Sequence, residues 1–94
     1  MKQYVIAGNY GQFCRWIRGS GLTFTDWIYV SSKDIIRGVR NPGGRFIGTW
    51  YLRDDAFDIL VALRVASDVK NENLEKALLL WIELQGMKQY VSVI

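Results

Sequence analysis

The chain has 94 residues, half of them hydrophobic and 22% charged, with a single proline; this balance points to one packed domain over residues 1–94 and excludes a disordered tail. With no His and one Cys, an internal disulfide, a cysteine–histidine dyad, a serine–histidine triad and zinc sites that need His or several Cys are excluded. The net charge of +3 hides a division: residues 1–53 hold eight Lys or Arg against two acids, and residues 54–94 hold four against seven.

Tyr4-Val5-Ile6-Ala7 is a short β-branched run stopped by Gly8-Asn9, which predicts a first strand ending in a tight turn. From Tyr10 to Arg18 the apolar residues Phe13, Trp16 and Ile17 recur at helical spacing before Gly19-Ser20-Gly21, which predicts a short helix. Trp27 to Val30 reads as a second strand, and Asp34 to Arg37 as a single helical turn before Gly38. Residues 38–45 hold three Gly and the only Pro and must form a loop or tight turn. Phe46 to Tyr51 then reads as a third strand, with Gly48 permitting a bulge or close backbone approach.

Asp54 or Asp55 is expected to cap the next helix, with Asp58 in its first turn and Phe57, Ile59, Leu60, Leu63 and Val65 on its apolar face up to Ala66. Asn71 or Asn73 is expected to cap a last helix carrying Leu74, Leu78, Trp81 and Ile82, with Gly86 as its terminating glycine and a strand over Tyr90–Ile94. Helices alternating with short apolar strands favour an α/β fold, a small sandwich with a largely parallel sheet of three to four strands whose crossover helices cover both faces. Met1-Lys2-Gln3-Tyr4-Val5 recurs letter for letter as residues 87–91, which reads as two chemically similar strands or a duplicated coding fragment; an exposed last strand would favour a homo-oligomer. No apolar stretch is long enough to span a bilayer and the N-terminus has no secretory pattern, so the expectation is a cytoplasmic protein without membrane contact.

Three segments could carry chemistry. Gly8-Asn9-Tyr10-Gly11 is a glycine turn at a strand-to-helix junction, where backbone N–H groups can face a phosphate, although neither GxGxxG nor GxxxxGK[ST] is present. Arg37, Arg40 and Arg45 bring three guanidinium groups among glycines, a set able to clamp phosphate or carboxylate. Thr49, Trp50 and Arg53 would converge with the Gly8 turn at the carboxyl ends of parallel strands. Asp54 and Asp55 are explained as caps rather than metal ligands, and Cys14 as a core residue, so no metal, cofactor or catalytic residue is assigned.

A strand ending in AGNY, a helix with FCRWIR, a strand WIYVSS, then DIIRGVR and FIGTWYLRDD together resemble a group of small phage and prophage α/β proteins over residues 4–65. The resemblance implies a Rossmann-like or degenerate P-loop-like core, a phage origin, and a role against host defence, in some cases as a sponge for cyclic oligonucleotide or ADP-ribose-type signals. Without a Walker A lysine it implies no NTP hydrolysis. The expected function is non-catalytic capture of a phosphorylated nucleotide-type ligand, with Arg37, Arg40, Arg45 and Arg53 neutralising phosphate and Trp50 or Tyr10 stacking on a base. The alternatives are an accessory protein that binds single-stranded nucleic acid through the same residues, and an inhibitor that docks on a protein through exposed Trp and Arg.

Overall fold

A computed structural model describes residues 3–92, with side chains described for residues 3–86. Strand β1 (Gln3–Ile6) leads into helix α1 (Tyr10–Gly19), followed by β2 (Trp27–Tyr29), β3 (Arg45–Phe46), α2 (Ala56–Ala66) and α3 (Glu72–Ser92). Two 3₁₀ turns, Lys33–Ile35 and Trp50–Leu52, flank β3. The three strands form one parallel sheet in the order β2-β1-β3. β1 takes the centre because Val5, Ile6 and Ala7 have no exposed surface at all: a strand that is apolar on both faces must be covered on both. Val5 and Ala7 pack with Phe13 and Ile17 of α1. Ile6 packs with Ile59, Leu60 and Leu63 of α2 and Leu74 of α3.

Each helix forms for a local reason. Asn9 is extended at the N-cap of α1 and its side chain accepts the Gln12 N–H at 2.9 Å, while Phe13 and Ile17, one turn apart, form the buried stripe. In α2, Ala56, Ile59, Leu60 and Leu63 are buried at helical spacing. Asp55 precedes it but makes no capping bond, because its carboxylate is held by Arg53 instead. α3 starts as expected, with Asn71 Oδ1 accepting the Leu74 N–H at 3.1 Å.

Three expectations are corrected. The third strand stops at Phe46, because Gly48 takes a left-handed conformation (φ 59°) that turns the chain and Trp50 enters a 3₁₀ turn with its ring buried against Phe46. Gly86 does not end the last helix, which runs on to Ser92. No strand forms over residues 90–92, and residues 93–94 lie outside those described. The repeated pentapeptide therefore takes two conformations: Gln3-Tyr4-Val5 is strand and residues 87–91 are helix. No helix among the described residues is long and apolar enough to cross a membrane.

Candidate functional site

The residues singled out in the sequence fall into two groups at opposite ends of the sheet. Gly8, Asn9, Tyr10, Thr49 and Arg53 gather at the carboxyl ends of the strands. Here Gln12, a residue that sequence reasoning missed, closes the turn. Its Oε1 accepts the Gly8 N–H at 2.9 Å and the Thr49 N–H at 3.0 Å, and its Nε2 donates to Thr49 Oγ1 at 2.8 Å. The two backbone donors best placed for a phosphate are thus satisfied by a side chain of the same protein.

Arg53 behaves in the same way. Its side chain is 9% exposed, and all five of its N–H donors have partners. Nε and Nη2 donate to the two carboxylate oxygens of Asp55 at 2.9 and 3.0 Å. Nη1 donates to the Ala7 and Val30 carbonyls at 3.1 and 2.8 Å, and Nη2 to the Ser31 carbonyl at 2.8 Å. These carbonyls follow β1 and β2, so Arg53 joins the ends of the two strands. Tyr10 opens α1, exposed, with its ring edge-on to Tyr29 at 5.6 Å. Its phenol is pushed above the ordinary value of 10.0, first by a hydrogen bond with the Cys14 side chain and then by charge repulsion from that sulfur.

The arginines of the glycine loop are arranged differently. Arg37 and Arg40 are exposed at 78% and 83% of their side chains. Each has one acidic neighbour: Asp34 lies 3.9 Å from Arg37 and Asp68 bonds to Arg40 Nε. Both arginines line a cavity of about 590 Å³ together with Lys33. Arg40 shares a second cavity, about 550 Å³, with Arg45 and Tyr4. Arg45 shares a third, about 540 Å³, with Trp16, Trp50 and Lys76. Neighbouring cavities share wall residues: Arg40 lines the first and the second, and Arg45 the second and the third. Arg45 lies 5.9 Å from the Trp16 ring centre and 5.6 Å from that of Trp27, so its guanidinium is held against two aromatic rings.

The loop backbone is held in place. Asn41 has φ 51° and Gly44 φ 93°, so the Gly44 position needs glycine for its conformation, and a Cβ there would only come into ordinary contact with Ile6 Cδ1 at 3.4 Å. Asn41 N–H donates to the Ala66 carbonyl at 2.8 Å, and Asn41 Oδ1 accepts the Asp68 N–H at 2.7 Å. Asn71 Nδ2 donates to the Gly43 carbonyl, and Asn73 Nδ2 to that of Gly44 at 3.2 Å. Sequence reasoning missed Lys33, Lys76, Tyr4 and Trp16 as wall residues, and Asn71 and Asn73 as supports of the loop. For the supports the only signal was two amides in a segment already explained by helix capping. Among the described residues no group of three or more Cys, Asp or Glu could hold a metal ion. Comparison with protein-family models, with curated proteins and with solved structures finds no match.

Proposed function

We propose that the protein is a non-catalytic binder that captures and sequesters a phosphorylated nucleotide-type ligand along the Arg37–Arg40–Arg45 track. The observation that carries this reading is the set of three cavities with shared wall residues at the glycine loop, with Lys33, Arg37, Arg40 and Arg45 along their walls and Tyr4 and Trp16 beside them. Guanidinium groups bind phosphate oxygens in pairs, and flat rings stack on bases. A loop already ordered by three side-chain amide contacts and one backbone bond loses little further freedom on binding. Coverage of the sheet by α1 on one side and by α2 and α3 on the other supports a small three-layer, Rossmann-like reading. The likeness of residues 4–65 to small phage α/β proteins supports capture of a signal over its turnover, in the cytoplasm of a host cell.

The same track favours a second reading, binding of single-stranded nucleic acid, because its cavities share wall residues and Arg37 and Arg40 stand in solvent. Thermal unfolding against mononucleotides, cyclic di- and trinucleotides, ADP-ribose isomers and short single-stranded DNA tests both, since a ligand of the native state raises the midpoint by mass action. A shift with one small nucleotide supports sequestration, and a shift with DNA alone supports the second reading. Replacing Arg37 and Arg45 together by Ala is expected to abolish the shift while the free protein stays folded. Undiminished binding in that variant removes the track as the site, and no shift with any compound turns the search to a protein partner.

A further inference from the structure

Helix α3 carries apolar side chains on its outward side as well as on its packed side. Leu74 and Ala77 are buried, and Leu78 and Trp81 are half-buried against the core. On the outward side, among exposed Glu75, Lys76 and Glu83, Leu79 and Ile82 are each 63% exposed and Leu80 39%. Large apolar side chains left in solvent and rimmed by charges mark a surface that a partner covers. Lys76, Leu79, Ile82, Glu83 and Gly86 recur at spacings of three and four and so share this outward stripe. A Cβ at Gly86 would meet nothing within 4 Å. Packing among the described residues therefore gives no reason for a poor helix former there, whereas a missing side chain lets a second backbone approach closely.

We infer that this stripe pairs with the same stripe of a second copy, as an antiparallel two-fold helix pair centred beside Leu80. The order of charges selects both the partner and the direction. With Leu79 packed on Ile82 of the second copy, Lys76 comes beside Glu83 of the second copy, and the two-fold axis repeats the pair on the other side. A parallel pair in register would set Lys76 against Lys76 and Glu83 against Glu83. Among the described residues neither Lys76 nor Glu83 enters an ion pair within its own chain. The stripe is thus self-complementary in shape and charge, and this inference does not rest on the ligand proposed above.

Sedimentation equilibrium of the full chain without ligand tests it. The expected result is a reversible dimer. Lys76→Glu alone and Glu83→Lys alone should each weaken it by on the order of tenfold, because two attractions become two repulsions. The double variant K76E/E83K should restore it, since both exchanged charges again face opposite ones. Leu79→Glu should give a monomer; should that variant not fold, the exchange of the exposed charges still decides. A wild-type chain that stays monomeric across the measured concentrations overturns the inference. So does an oligomer that ignores both single charge reversals, or one that the double variant fails to restore.

Discussion

Arg53 combines a high charge with almost complete engagement, and its partners say what it does. Three of its five bonds go to carbonyls that follow β1 and β2, at Ala7, Val30 and Ser31, positions where the parallel ladder ends and no further strand N–H arrives. Removing the guanidinium leaves the Ala7 and Val30 carbonyls and the partly exposed Asp55 carboxylate without their partner. Arg53→Ala is therefore expected to cost about 3 kcal/mol of unfolding free energy, measured by urea denaturation. Arg53→Lys should recover only part of this, because one ammonium cannot serve both a carboxylate and carbonyls on two strand ends. A variant as stable as the wild type would show that these bonds carry no net stability. Gln12 plays a parallel part at the neighbouring turn. A Cβ at Gly8 would stand 2.6 Å from its Oε1 and one at Gly48 2.2 Å from it, so the two glycines make the room into which the amide fits.

At the scale of elements, the glycine loop and the start of α3 are a single unit, because Asn71 serves both. Its Oδ1 caps the helix at Leu74 N–H while its Nδ2 holds the Gly43 carbonyl. Asn71→Ala should cost about 1–2 kcal/mol from the lost cap and the lost tie. Asn71→Asp keeps the capping oxygen but sets a carboxylate oxygen against the Gly43 carbonyl, so it should recover only the part of the stability that belongs to the cap, while hydrogen exchange in residues 41–45 stays faster than in the wild type. Equal exchange in Asn71→Asp and wild type would show that the tie does not order the loop. The strands β1 and β2, the helix α1 and the parallel direction were legible because the sequence alternates short β-branched runs with helical spacing and glycine turns. The length of β3 was not. Phe46 to Tyr51 has strand composition throughout, yet the left-handed turn at Gly48 and the burial of Trp50 against Phe46 depend on contacts with distant segments. Gly86 misled because a glycine costs a helix only about 1 kcal/mol, which neighbouring turns outweigh. The repeated pentapeptide makes the same point, as strand beside β2 and as helix in α3. Of the candidate site, the arginine loop was legible from composition, whereas the closing of the Gly8 turn by Gln12 was not, since Thr49 lies 37 residues away from it.

The whole molecule joins a basic half to an acidic one, and the join lies at the arginine loop. Arg40 meets Asp68, and Asn41, Gly43 and Gly44 are all held by residues 66–73. The acidic half thus orders the cationic track without neutralising it, because the two pairs on the track, Arg37 with Asp34 and Arg40 with Asp68, are exposed and exposed pairs are worth only about 0.2–1 kcal/mol. A phosphate can take either arginine from its carboxylate at that cost. How many cations a ligand engages is then readable from salt. Each phosphate neutralised on a single strand contributes about −0.7 to the slope of log affinity against log salt. Oligodeoxythymidine lying along Lys33, Arg37, Arg40 and Arg45 should therefore give a slope of about −2.8, and a mononucleotide, which carries no condensed counterions, a clearly shallower one. Arg40→Ala should make the oligonucleotide slope shallower by about 0.7, since it removes one phosphate contact. Fluorescence titration between low and moderate salt, where the Debye length falls from about 30 Å to about 8 Å, supplies the measurement. A slope near zero with intact binding would mean that the ligand is held by the aromatic walls alone. That result would end the electrostatic reading of the track while leaving the fold, and the loop that the acidic half orders, unchanged.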